Sequence, residues 1–439
     1  MSSFQSLPPE AFALILSFLP TANDVASIAR VSRRANAMFL GSEGHIMRQV
    51  LINQFGAKGL AMCVARYAAI TSPWKQQKDG SDVTIENQDK YLGKITEFCD
   101  EYLSKQGTEL RIQAKACSLK MASRIVFFDE RVSQLAEHVA IHNVMEVGVN
   151  TAPSKTEITR VKRTFYILDI MGQLLHSSPV RRRDHRSLCP DKQDTAFTKF
   201  WTCFAPWENV QMEGLEWILG DLVDHGMLRR LPSDLNNSNI YTAYVAKHGR
   251  TVEDIQEVMR NEAIKMVLIM GVEALPPLVL RQEFPTAWED LLKTLRSRND
   301  EIVKLECSDT FHYPLVRYHL FEDVFRWFRR QDPANDYRTY DSTIDTLDFD
   351  RYNEFNDDTG PRDVWLWLLN ENPGVQINIP LFYPADDWCT GLNLFSGCLE
   401  PLWWDRARIE SSTDDMLPDF EEMKEALEGQ LLRINPSFD

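Results

Sequence analysis

Apolar residues in this chain return at intervals of three and four, and hardly anywhere at alternate positions. Phe12, Ile15, Leu16 and Leu19 make the first such stripe. Ile158, Val161, Phe165 and Leu168 make another, and Leu215, Ile218, Leu219, Leu222 and Val223 a third. Ile255, Met259, Ala263, Met266 and Met270 follow the same spacing. Side chains three and four apart share one face of a helix, so each stripe predicts an amphipathic helix with that face turned inward. No series of alternating segments, no internal repeat and no heptad run accompanies them, which argues against a propeller, a horseshoe or a coiled coil. The expected fold is mainly α, and 439 residues are enough for two or three cooperative units.

The first 55 residues read as three short helices. Pro8 and Pro9 stand where a first helical turn tolerates proline, and Pro20 stops the helix that they open. Asn23 or Asp24 can cap the second helix, which carries Val25, Ile28 and Ala29 on one face. Ser32 can cap a third helix through Ala37, Met38 and Leu40, until Gly41 and Gly44 break the pattern. Residues 72–90 are polar and turn-rich, as an exposed loop would be. A small N-terminal domain over 1–55, a helical body over 91–330 and an irregular Trp-rich region over 363–439 packing on the body are therefore expected. The polar segment 331–362 is the linker candidate, and a last helix is expected over 419–433.

Charge and composition narrow the function classes. Of the net charge of −16, residues 331–439 carry 24 acidic against 7 basic side chains, which leaves 41 basic against 40 acidic in residues 1–330. An acidic third is the wrong sign for phosphate, so no nucleic-acid partner is expected, though it could steer a basic protein. No apolar run approaches the roughly 18 residues that cross a bilayer, and the first residues lack a basic stretch followed by an apolar one. Neither a membrane span nor a secretory signal is expected, and the cytoplasm and/or nucleus is the expected location. The eight cysteines form no Cys-x-x-Cys pair and read as buried structural thiols. Phosphate-binding glycine loops and nucleophile elbows are missing.

The most metal-like constellation is His138, His142 and Glu146, one helical turn apart each. Val139, however, stands where a zinc peptidase needs its Glu, directly after the first His. A paired or exposed His couple is the expected reading, with no metal and no cofactor. His312 and His319 are at best a second helical pair, and the cluster Arg181–Arg186 reads as a solvated loop.

The stretch Leu7–Leu51 resembles the F-box. The matching residues are Leu7-Pro8-Pro9-Glu10, then Ile15-Leu16-Ser17-Phe18-Leu19-Pro20, then Asp24-Val25, and Ala29-Arg30-Val31-Ser32-Arg33-Arg34. Ala35-Asn36 stands where the motif usually has Trp, and His45-Ile46-Met47-Arg48 where it usually has Leu-Trp. The resemblance implies a Skp-type adaptor as partner, and through it a cullin. It also implies an adaptor-facing set of Leu7, Pro8, Ile15, Leu16, Leu19, Val25, Ile28, Val31 and Arg33. Much of the remainder is similar to large helical F-box proteins of filamentous fungi. The shared marks are Val161-Lys162-Arg163-Thr164-Phe165-Tyr166, the segment Phe200–Glu208 with Pro206-Trp207-Glu208 before a helix, and Trp404-Asp405-Arg406-Ala407-Arg408. Structurally these marks are expected to be core anchors, with Trp207 at a helix start and Arg406 and Arg408 paired with buried acids.

Together these readings imply a non-catalytic substrate receptor of an SCF-type (Skp–cullin–F-box) ubiquitin ligase, recruiting an unidentified protein target. An F-box-containing scaffold or regulator acting outside the ligase is the alternative. A helical enzyme centred on His138 and His142 is a third reading, which bound metal would reveal.

Overall fold

The computed structural model describes residues 7–71, 74, 88–104, 117–146, 151–174, 199–200, 203–205, 207–208, single positions between 211 and 222, 272–280, 359–371, 403–413, 418–423 and 425. Of these, 84% are helical, and no strand occurs among them, so the protein is mainly α. The helices are α1 (Pro9–Ser17), α2 (Ala22–Ala29), α3 (Arg33–Ala69), α4 (Gln88–Phe98), α5 (Leu119–Glu146), α6 (Lys155–Leu174), α7 (Leu275–Val279), α8 (Gly360–Glu371) and α9 (Arg406–Thr413). No described helix is long and apolar enough to cross a membrane. The stripe over 255–270, the Arg181–Arg186 cluster, the polar segment up to 358, and His312 and His319 lie outside the described residues. Two compact units are resolved by their internal contacts: Met1–Gln134 with Asp169–His176, and Leu135–Leu168 with Ser177–Asp439.

In the first unit, α1 and α2 both pack on α3. Proline at the first turn of α1 needs no N–H partner, and the Phe12 N–H reaches back to the Pro8 carbonyl at 3.0 Å. The C-terminal carbonyl of Ser17 would be an orphan, but Asn53 Nδ2 on α3 donates to it at 2.9 Å. Thr21, not Asn23 or Asp24, caps α2: its Oγ1 accepts the Asp24 N–H at 3.2 Å. Asp24 sits three residues in, and its carboxylate accepts the Thr21 hydroxyl at 2.6 Å. Ser32 caps α3 as expected, accepting the Ala35 N–H at 3.1 Å.

Helix α3 is interrupted where expected, between Gly41 and Gly44. It runs on to Ala69 with non-helical backbone at Ser42 and Gly56. The expected break at Gly41 and Gly44 is thus a kink between them. Gly56, with φ of 69°, takes a backbone conformation that a side chain would strain. Phe39 is the buried anchor of the first segment of α3, while Ala37 and Leu40 are exposed. Trp74, expected in an exposed loop, is buried. Its ring meets Phe98 edge-on at 5.5 Å, and Phe98 stacks on Tyr102 at 5.0 Å. Farther along, Arg66 donates from Nε to Asp169 at 2.8 Å while its guanidinium lies 3.7 Å over the Phe128 ring. Of the cysteines, Cys63, Cys99 and Cys117 are buried and Cys203 is half-buried, all as free thiols.

In the second unit, Val161, Phe165 and Leu168 of α6 are buried, as are Leu215, Ile218, Leu219 and Leu222. Helix α8 starts at Gly360, so the last residues of the expected linker form its first turn. There Arg362 is buried beneath the Phe420 ring at 3.7 Å and holds Asp363.

Candidate functional site

Helix α1 turns Phe12, Ala13, Leu16 and Ser17 inward. At 3.6 residues per turn, Leu14, Ile15 and Phe18 project from the opposite side. They are 56%, 40% and 74% exposed. The expected stripe of Phe12, Ile15, Leu16 and Leu19 is thus split: Phe12 and Leu16 enter the core, Ile15 is exposed and Leu19 half-buried. The physical reason lies in Ala13 and Ser17. Both are buried beside Phe12 and Leu16, so the face turned to the core is centred on their side of the helix and Ile15 falls outside it.

The nine residues expected to face a partner fall into two groups. Leu16 and Val25 are fully buried and hold the three helices together. Pro8, Ile15, Val31 and Arg33 are exposed, and Leu7, Leu19 and Ile28 half-buried. Val31, at 79%, is the most exposed large apolar residue described. Five of the seven exposed large apolar residues among those described fall between positions 14 and 40. Three of them, Leu14, Ile15 and Phe18, share the outer side of α1. Leu14 and Phe18 are members of the exposed set that the motif comparison passed over. Their signal was in the sequence: α1 is apolar on both sides, which a helix lying on a single core does not need.

Three exposed arginines lie at the turn from α2 into α3. Arg30, Arg33 and Arg34 flank Val31 and the Ser32 cap, and no acidic side chain pairs with any of them among the described residues. Arg34 makes one long contact, from Nη2 to the Leu7 carbonyl at 3.5 Å.

The second polar constellation lies at the start of α6, within the second unit. Ser154 and Glu157 form a reciprocal capping box: the Glu157 N–H donates to Ser154 Oγ at 3.1 Å, and the Ser154 N–H to Glu157 Oε2 at 2.7 Å. The spacing Ser-x-x-Glu carried that signal in the sequence. Glu157 also accepts the Asp405 N–H at 2.8 Å and both Nε and Nη2 of Arg408, at 2.7 and 2.8 Å. Arg408 Nη1 goes to the carbonyl and hydroxyl of Thr151, and Nη2 also to the Ala152 carbonyl. Burial would raise the Glu157 carboxyl. The Arg408 bonds, the Asp405 and Ser154 N–H groups and the Arg408 charge outweigh it and hold the group below its ordinary value. Arg160 spans the Trp403 and Trp404 carbonyls at 2.8 and 2.7 Å and pairs with Asp405 at 3.0 Å.

Every donor of Arg408 and both oxygens of Glu157 are therefore occupied, which leaves this cluster no valence for a ligand. It anchors the fold, as expected for Arg408. Arg406 differs from expectation: it pairs with partly exposed Glu410 on its own helix. Trp207 is buried at a helix start, and Glu208 closes that turn on the Ala205 N–H at 2.9 Å while also binding Arg163.

His138 and His142 lie on α5, each half-buried and each with an interaction partner. Among the described residues, no group of His, Cys, Asp or Glu is arranged to hold a metal ion. No protein-family model, no curated protein and no solved structure matches the chain.

Proposed function

We propose that this chain is the substrate-receptor subunit of an SCF-type ubiquitin ligase. In this reading α1, α2 and the turn into α3 form an F-box that docks on a Skp-type adaptor, and through it on a cullin. The remainder of the chain holds a protein target near the ubiquitin-conjugating enzyme. Catalysis is then proximity and orientation supplied by the assembly, and the chain contributes no nucleophile of its own.

The observation that carries this reading is the outer face of α1, where Leu14, Ile15 and Phe18 stand in solvent at the place where the sequence resembles a docking motif. Burying such a side chain is worth roughly 1.5–3 kcal/mol. Four or five of them would contribute roughly 6–15 kcal/mol before association costs are subtracted, which is a large share of the driving force for a complex but does not by itself reach the roughly 12 kcal/mol of nanomolar binding. Leu16 and Val25 serve the same end indirectly, by fixing the helices that present the outer residues.

Co-purification with a Skp-type adaptor tests the reading. Wild type should retain the adaptor. Phe18→Asp should keep its fold, because Phe18 is 74% exposed, yet lose the adaptor, because docking would bury an unpaired carboxylate. A wild-type chain that does not bind the adaptor sinks the reading. Adaptor binding without cullin-dependent ubiquitin transfer would instead favour the scaffold or regulator.

A further inference from the structure

We infer that the partner of the α1–α2 face is a protein surface whose apolar groove is bordered by acidic side chains, with Arg30, Arg33 and Arg34 supplying the charge that steers the two together. The inference rests on the docking reading above and adds the chemistry of the surface opposite.

Arg30, Arg33 and Arg34 fall within five residues and are all exposed. They close no ion pair within the protein among the described residues. Nearby acids are engaged elsewhere: Asp24 is taken up in the α2 cap, and Glu43 accepts the Leu119 N–H at 2.7 Å. Glu10, exposed in the first turn of α1, closes no ion pair with the arginines. Residues 1–330 carry almost no net charge, so three unpaired arginines at one turn are a local positive field and not part of a general basic surface. Val31 stands in the middle of that field with 79% of its surface in water. An apolar side chain ringed by cations fits a partner with an apolar contact ringed by anions. Complementary fields of this kind raise the association rate far more than they slow dissociation, and salt removes the effect.

An exposed apolar residue among the arginines, Val31, together with the exposed apolar residues of α1 favours protein over nucleic acid. A phosphate-binding face needs basic and polar side chains, and gains nothing from Leu14, Ile15 and Phe18 in water.

The test measures association of the full chain with a Skp-type adaptor at about 0.05 M and about 0.5 M salt. Wild type is compared with Arg30→Ser/Arg33→Ser/Arg34→Ser and with Ser32→Asp. The second variant keeps an N-cap, since Asp caps as well as Ser, while placing an anion among the arginines. The wild-type on-rate should fall about tenfold or more with salt. The triple variant should start near that lower rate, with an off-rate within about twofold of wild type. Ser32→Asp should lie between. An on-rate that ignores both salt and the arginines overturns the steering inference and leaves the docking reading standing. No adaptor binding at either salt overturns both. A single-stranded oligonucleotide that binds wild type as tightly as the adaptor does, and is released by the triple variant, reassigns the patch to phosphate.

Discussion

Two regions of the chain treat water in opposite ways. Around α1, apolar side chains stand in solvent, with Leu14, Ile15, Phe18 and Val31 all exposed. At the start of α6, charged side chains are withdrawn from it, and Glu157 and Arg408 are buried with their hydrogen-bonding capacity filled. Neither arrangement is what maximal stability would choose. Exposed apolar side chains forgo roughly 1.5–3 kcal/mol each. A buried ion pair is often no better than well-packed apolar residues of the same volume. The buried pair has a geometric use, since it ties together segments 251 residues apart in sequence. The exposed face has no such use within its own unit. Motif-like residues in the first region leave surface over, whereas those in the second consume theirs in the fold.

The largest expected effect breaks the buried side of this contrast. Arg408→Leu leaves the Glu157 carboxylate buried without its bidentate partner. The expected loss is about 3–5 kcal/mol, read as a fall in the denaturant midpoint. Acid should probe the same carboxylate. Its folded pKa lies below its unfolded one, so the unfolded chain takes up the proton first as pH falls. Its contribution is complete above the ordinary value of 4.5 and drains away as pH drops from there through the folded value. Wild type should therefore lose stability more steeply than Glu157→Gln across that window. Equal slopes would remove Glu157 from the acid response.

Next in size is the inner face of α1. Leu16 is fully buried against α3, and Leu16→Ala should cost about 2–5 kcal/mol as the cavity fails to collapse. The loss should appear in thermal unfolding and, through it, in adaptor retention. A smaller effect is expected at the cap of α2. Thr21→Ala removes the acceptor for the Asp24 N–H, at a cost of about 1 kcal/mol. Asn23→Ala should cost less, because Asn23 is exposed and is not the cap.

These positions also mark where sequence reasoning stops. The period of three and four identified the helices and most of their buried residues, including Val161, Phe165, Leu215 and Leu219. It could not say which side of α1 turns inward, because both sides are apolar and the outcome, with Ala13 and Ser17 buried and Ile15 outside, is set by tertiary packing. The motif comparison mixed Leu16 and Val25 with Ile15 and Val31 for the same reason: spacing does not separate a residue that supports a surface from one that forms it. Thr21 was hidden by two equally good capping residues just behind it. The Arg408–Glu157 pair was half visible, since a buried acid was expected for Arg408 but nothing local could name one so distant. The break at Gly41 and Gly44 was legible, since the backbone is non-helical at Ser42 between them; what the glycines could not show is that helix resumes at once, with Ile46, Met47, Val50 and Leu51 buried.

The smallest expected effect on stability is the sharpest test of the contrast. Phe18→Ser removes a large aromatic ring, a change that costs several kcal/mol in a core. Phe18 is 74% exposed at the C-terminal end of α1, so little apolar area is lost from the folded state relative to the unfolded one. The unfolding free energy should move by no more than about 0.5 kcal/mol. Adaptor co-purification should nevertheless fall, and it should fall further for Phe18→Ser than for Thr21→Ala, although Thr21→Ala is the more destabilising of the two. A Phe18→Ser chain that loses about 2 kcal/mol would mean that the ring is packed within its own unit. The outer face would then be part of a core, and the exposed and buried faces of α1 would no longer differ in kind.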